Sequence, residues 1–181
     1  MTRGVKRETF HHGDTKRAAL EAALALLERD GAEALTLRAV AAAIGVNHRA
    51  LYRHFTSLDD LKVEVATIGF DRLADALERV PPDAPRQLAG SYARFALANE
   101  HLYALMFSLP LRRWYGISTG IGPAIRRVTA ASVVAAGRTR DAKARVFRIW
   151  GLVHGLVGLY RAGTWHAANE RKAATFIASL V

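Results

Sequence analysis

The stretch TLRAVAAAIGVNHRALYRHFTS, residues 36–57, constrains the fold more than any other part of the chain. Thr36 is of the type that caps a helix N-terminus, and Leu37, Val40, Ala41 and Ile44 then recur at helical spacing along one face. Gly45 ends that helix where the chain must turn sharply, and Asn47 caps a second, very short helix predicted to run through Phe55. Two helices joined by a link as short as GVN, with its glycine, form a helix-turn-helix. At about 3.6 residues per turn, Leu51 and Phe55 share the face that packs back on Val40, Ile44 and the preceding helix, and Arg49 and Arg53 project from the opposite face.

The flanks continue the helical pattern. Leu20, Ala23, Leu24 and Leu27 recur at spacings of three and four in a helix predicted from Asp14, with Gly31 as its stop. Residues 1–13 are polar, basic and aperiodic and are read as an arm. Downstream, SLDD places Ser57 and Asp60 as a capping box for a fourth helix reaching about Val80, before PPDAP (81–85) breaks the chain. Further helices are predicted at 86–98, 101–108, 121–136, 141–162 and 169–181, with a glycine-rich connection from Leu111 to Gly122. Abundant alanine, only five prolines and few β-branched runs agree with this pattern. The predicted fold class is all-α, about nine helices in two domains, residues 1–56 and 57–181.

Charge narrows the partner. With 26 lysines and arginines against 16 acidic residues the formal net charge is +10, and a basic surface attracts nucleic acid before any specific contact forms. Arginine suits base reading because its guanidinium can bond both acceptors of a guanine edge, whereas phosphate contacts fix register. Arg49 and Arg53 are assigned to base reading, with His48 at the helix end that approaches base edges, and Tyr52, His54 and Arg38 to phosphate. Arg3, Lys6 and Arg7 on the arm, with Lys16 and Arg17 at the head of the first helix, are further candidates for phosphate or minor-groove contact. There is no cysteine, which excludes disulfides, thiolate metal sites and a cysteine nucleophile. The amino-terminal segment lacks the apolar core of a signal peptide, and IWGLVHGLVGLY is too short to span a membrane, so a soluble cytoplasmic protein is expected.

The segment AALALLERDGAEALTLRAVAAAIGVNHRALYRHFTSLDDL closely resembles the DNA-binding domain of TetR-family transcriptional regulators, with the Thr–Leu–Arg–Val–Ala series, Gly45, Leu51, Tyr52, Phe55 and Leu61 in register. The resemblance covers about the first 65 residues. It implies a homodimer that represses transcription by holding a palindromic operator on double-stranded DNA until a small-molecule effector binds its carboxy-terminal domain. It also carries the family's DNA contacts onto Arg38, His48, Arg49, Tyr52, Arg53 and His54. Many relatives have lysine at the start of the fourth helix, where this chain has Leu58; Lys62 lies one turn later. NEHLYALMF (99–107) and WGLVHGLVGL (150–159) are similar to segments of the WHG-type subfamily, although Trp150–Gly151 and His154–Gly155 interrupt its signature.

In the helix predicted at 141–162, Val146, Ile149, Trp150, Val153, Val157 and Tyr160 are apolar, and Gly151, Gly155 and Gly158 form a stripe beside them. Each interior glycine costs a helix up to about 1 kcal/mol relative to alanine, so the stripe predicts close approach of another backbone. In the resembling family the last two helices build a four-helix dimer interface. That implies a homodimer through residues 141–181, with Ala173, Phe176, Ile177 and Leu180 on the final helix, unless the glycines pack within the subunit. Tyr103, Phe107, Trp114, Tyr115, Trp150 and His154 are candidates to line a ligand pocket; a hydrogen-bonded structural role competes for His154. Residues 111–172 hold twelve basic residues against Asp141 and Glu170, consistent with an anionic effector and equally with a solvated face.

Three motifs carry less. GISTG (116–120) matches a hydrolase nucleophile elbow but lacks the strand that motif needs, His11, His12 and Asp14 do not impose a coordination shell, and Gly151-x-x-x-Gly155 lies in no spanning segment. No metal or cofactor is expected. Two alternatives remain: a sequence-indifferent DNA-binding protein held by counterion release, and an all-helical enzyme, which the lack of a coherent catalytic constellation disfavours.

Overall fold

The computed structural model describes residues 12–110, 113–114 and 120–181. Among them every regular element is helical: α1 (His12–Asp30), a 3-10 turn (Ala32–Ala34), α2 (Leu37–Ala43), α3 (His48–Leu51), α4 (Leu58–Glu78), α5 (Pro85–Ala98), α6 (Glu100–Ser108), α7 (Ile121–Ala136), α8 (Ala142–Arg161) and α9 (Glu170–Ser179). The chain forms two compact units that divide between Val65 and Ala66, inside α4. The arm residues Arg3, Lys6 and Arg7, most of the 111–122 connection, Tyr115 and the serine of GISTG lie outside the described residues.

The first unit is organised by its caps. Thr36 Oγ1 accepts the Ala39 N–H at 3.1 Å and opens α2. At the other end the Gly45 N–H reaches Ala42 O and the Val46 N–H reaches Ala41 O, the paired bonds of a Schellman motif. That motif requires a left-handed residue, and Gly45 sits at φ 68°. Asn47 Oδ1 then accepts the Arg49 N–H at 2.9 Å, starting α3. Ser57 Oγ accepts the Asp60 N–H at 3.1 Å while the Asp60 carboxylate accepts the Thr56 N–H at 2.9 Å, so the predicted box closes one residue further back than its usual form.

α3 is shorter than expected: regular helix ends at Leu51, and Tyr52, Arg53 and His54 continue as turn to Phe55. Leu51 and Phe55 are nonetheless fully buried, together with Ala19, Ala23, Leu27 and Val40. Ile44 is only half-buried. The tail of the helix is held by core burial more than by its own hydrogen-bond ladder, as a segment this short must be.

In the second unit α5 is central, packing against α9, α8 and α7. Leu88, Ala89, Tyr92, Ala93, Phe95, Ala96 and Leu97 are buried along it. The 81–85 break is pinned to α7 by the Asp83 and Ala84 N–H groups, which reach Val134 O and Ala135 O. α7 is fastened to α4 by Arg127, which donates to Asp71, Asp75 and Glu78 at 2.8, 2.8 and 2.9 Å. That exposed trio raises the Arg127 pKa further above its ordinary value.

Among the described residues a Cβ added at Gly151, Gly155 or Gly158 meets nothing within 4 Å, and all three positions are exposed, so packing among those residues does not account for the stripe. On α9, Ala173 and Ile177 are buried, but Phe176 and Leu180 are half exposed and form a separate outward edge.

Candidate functional site

The structure leaves the outward side of the helix-turn-helix densely donor-bearing. Arg38, Arg49, Arg53 and Tyr52 are exposed, Tyr52 at 55%. Among the described residues no carboxylate engages Arg38, Arg49 or Arg53. His48 and His54 are half-buried, the first edge-on to Tyr52 with ring centroids 6.4 Å apart, the second edge-on to Phe55 at 6.4 Å. Two cations assigned to phosphate are already occupied. Lys16 Nζ pairs with Glu64 at 3.0 Å and lies 5.9 Å from the Phe55 ring, which makes it a brace for the α3 tail. Arg17 pairs with Glu21 one turn along α1 at 2.8 Å. The Lys16–Glu64 pair joins residues 48 positions apart and left no local signal in the sequence.

Of the six predicted pocket residues, the second unit brings Tyr103, Phe107, Trp150 and His154 into one aromatic cluster, and Tyr115 lies outside the described residues. Tyr103 and Phe107 on α6 have centroids 4.9 Å apart, and His154 on α8 lies 5.4 Å from the first and 4.8 Å from the second. Trp150 joins through Tyr92 on α5, whose ring is 6.5 Å from Trp150 and 6.1 Å from Tyr103. Sequence reading passed over Tyr92 because nothing local distinguishes it from any buried aromatic. Trp114 stands beside the Arg113 guanidinium, 5.7 Å from its ring centroid.

Polar contacts link the rings of the cluster. Tyr103 Oη and His154 Nδ1 are 2.6 Å apart, with the Tyr92 hydroxyl 3.4 Å from the same oxygen. Burial pushes the Tyr103 phenol up to about 12 and Tyr92 well above 10, so both keep their protons. Desolvation, and then the nearby Arg161 charge, hold His154 below its ordinary 6.5. The single Tyr103 hydroxyl proton can serve either Tyr92 Oη or His154 Nδ1, so the imidazole tautomer is tied to which of the two it takes. Arg161 lies 5.6 Å from the Tyr103 ring centroid, donates to the Ala96 carbonyl and approaches Glu100 at 3.8 Å. Ser132, fully buried, donates to Val128 O and accepts Trp150 Nε1 at 3.2 Å, which fixes the indole. Among the described residues no group of acidic or histidine side chains could hold a metal ion, and no helix is long and apolar enough to cross a membrane.

A capped α2, a Schellman turn and a core-anchored α3 with unneutralised arginines, followed by an all-helical unit, define a helix-turn-helix regulator. Residues 19–65 match the family model described as bacterial regulatory proteins, tetR family, and residues 86–181 match the tetracyclin repressor-like C-terminal domain. The chain belongs to the TetR family of transcriptional regulators. It is 29% identical over 159 residues to an uncharacterized HTH-type transcriptional regulator of Mycobacterium tuberculosis, covering 82% of this chain and 71% of the relative. Among solved structures it is similar to a protein of unknown function from Rhodococcus sp. RHA1, 29% identical with TM-score 0.76 over 96% of each chain. In fold it also resembles a regulator from Saccharomonospora viridis solved in complex with choline, 19% identical with TM-score 0.61 over 93% of this chain and 95% of the other.

Proposed function

We propose that the protein acts in the cytoplasm as a dimeric, effector-released repressor: residues 1–56 hold operator DNA and residues 57–181 bind the effector and the second subunit. The observation that carries this reading is α3 with the turn that follows it, where buried Leu51 and Phe55 leave Arg49 and Arg53 exposed and uncommitted. Base reading is assigned to Arg49 and Arg53 with His48, and phosphate contact to Arg38, Tyr52 and His54. Lys16 and Arg17, being paired within the chain, contribute by bracing α1 and adding to the general positive field.

The effector site is assigned to the cluster of Tyr103, Phe107, Trp150 and His154, with Trp114 nearby in sequence to the undescribed connection. The choline complex of the Saccharomonospora viridis regulator supports ligand binding by this fold. α4 belongs to both units and is the covalent route by which effector binding reaches the helix-turn-helix; only unequal affinity for two states can drive such a change. Regulation, not catalysis, is the activity.

Dimerisation is assigned to α8 and α9. Gly151, Gly155 and Gly158 leave open space on a face that also exposes Leu159 at 48%, and Phe176 and Leu180 add apolar surface on α9. Selection of bound DNA from a random pool tests the whole reading: the expected product is a palindrome whose half-sites are about one helical turn apart. Recovery of unpatterned DNA, with equal affinity for random and selected duplexes at matched salt, would favour sequence-indifferent binding instead. Gly155→Arg, placed where the chain leaves room, is expected to give a folded monomer by sedimentation with weakened operator binding; an unchanged dimer would rule out this interface.

A further inference from the structure

Beyond the helix-turn-helix and the aromatic cluster, the second unit holds a cleft of about 530 Å³ between the end of α4, the first three turns of α5 and α9. It shares no residue with the aromatic cluster. Three arginines line it: Arg79 just past α4, Arg86 in the first turn of α5 and Arg94 two turns on. Gln87, Ser91 and Thr175 add polar groups, and among the described residues no acidic side chain contributes to the walls.

The missing counter-charge has a structural cause. The carboxylates that α4 carries toward its carboxy-terminal end, Asp71, Asp75 and Glu78, are all drawn to Arg127 on α7. Arg79 and Arg94 form no ion pair among the described residues, while Arg86 donates its Nε to a backbone oxygen of Val181, the last residue of the sequence, at 3.0 Å, which holds its guanidinium on that side. The floor is built from small residues, Ala76, Gly90 and Ala178. Gly90 is where the geometry is tightest: a Cβ there would lie 3.3 Å from Ala178 Cβ and 3.3 Å from Arg94 Nη1. The bare backbone thus admits both the close approach of α9 and the fold-back of the Arg94 guanidinium across the cleft. Ser91 donates its hydroxyl to Ala76 O at 3.2 Å and keeps the α4–α5 wall together.

We propose that this cleft binds a compact polyanion, a small molecule bearing a phosphate or several carboxylates. Arg79 and Arg94, with Arg86 held by Val181 beside them, put like charges around one hollow, and a multivalent anion relieves their repulsion while using the planar donor forks of the guanidinium groups. The volume falls within the range of ordinary small-molecule sites. A neutral or cationic ligand would leave the repulsion in place.

The test is titration of the full-length protein with pyrophosphate and, separately, with citrate, by calorimetry and by thermal melting, against sodium chloride at equal ionic strength. The expected result is saturable binding of one anion per protomer and a rise in Tm beyond that produced by chloride. A preference for pyrophosphate or for citrate identifies which source of negative charge the cleft takes. Arg79→Gln and Arg94→Gln, both at exposed positions, should each weaken binding about tenfold or more, and exposed Arg140→Gln, outside the cleft, should not. Gly90→Ala supplies a variant of unchanged charge that narrows the floor and should also weaken the anion. Stabilisation matched by chloride, or anion affinity unchanged in the Arg79→Gln/Arg94→Gln protein, overturns the proposal. Because the readout is anion binding without DNA, its failure leaves the operator-binding reading untouched.

Discussion

Leu51→Ala separates what holds the recognition helix from what it presents. Leu51 is completely buried and sits at the last position of a four-residue helix. A helix of that length has no stability of its own, since even alanine-rich helices below about 12–15 residues are marginal in water. The substitution removes three carbons, roughly 2.4 kcal/mol of transfer free energy at ~0.8 kcal/mol per methylene. The cavity left behind brings the expected loss to about 3–5 kcal/mol. A unit of 65 residues has on the order of 3–10 kcal/mol to lose. The variant should therefore lose much of its first-unit stability, and with it operator binding.

Tyr52→Ala is the matched comparison, one residue away and 55% exposed. Its stability should change by no more than about 0.5 kcal/mol, so any loss of affinity reports a DNA contact. The assay is urea unfolding followed by far-UV circular dichroism, paired with fluorescence anisotropy on a duplex recovered by selection. Lowering the temperature should rescue operator binding by Leu51→Ala in proportion to its folded fraction and should do little for Tyr52→Ala. A Leu51→Ala protein that unfolds within about 1 kcal/mol of the parent would refute the claim that core burial sets the helix.

The remaining predictions address the other sites. Arg49→Gln should relax the preference at one base position by about 1–3 kcal/mol, read from binding to single-base operator variants. Arg38→Gln should weaken all duplexes alike and reduce the slope of log affinity against log salt by about one per protomer. The folded His154 pKa is depressed below 6.5, so the unfolded chain binds more protons as pH falls; stability present above that value is lost on acidification, and melting between pH 7.5 and 5.5 should show a weaker pH dependence in His154→Gln. Gly137→Ala should cost about 1–3 kcal/mol in thermal unfolding, because φ there is 92° and the new Cβ would meet Asp83 Oδ1 at 2.5 Å.

The parts of the molecule that were legible in sequence are those written in neighbours. Thr36, Asn47 and Ser57 each bond an N–H two or three residues on, so their caps are local statements. Gly45 is likewise fixed by a turn closing within five residues. Side chains joined across the fold were not legible. Tyr92 reaches the aromatic cluster through rings on α6 and α8, and Arg127 meets carboxylates about 50 positions away. The glycine stripe was visible as a pattern, but only the tertiary structure shows that none of the described residues packs against it. The exposure of Phe176 was hidden for a related reason: its helical spacing suits the buried face, while its ring lies tilted against Trp165, centroids 5.1 Å apart, along the edge.

The basic excess of the carboxy-terminal half also changes meaning once its charges are located. Read along the sequence, residues 111–172 suggest either a solvated face or an anionic effector. Several of those arginines are instead internal fasteners: Arg127 clamps α4, Arg145 donates to the Ala136 carbonyl at 2.8 Å, and Arg161 caps Ala96 O beside the Tyr103 ring. Each such fastener withdraws a carboxylate or a carbonyl from the neighbourhood of other cations. The Arg127 clamp is the clearest instance, because the acids it consumes flank the α4 terminus that supplies Arg79. Local charge density along the chain is therefore a poor guide to where a net field stands in the folded unit. The three arginines that line the cleft, like Thr175 and Ala178 on its α9 wall, all lie outside the 111–172 segment whose sequence looks most basic.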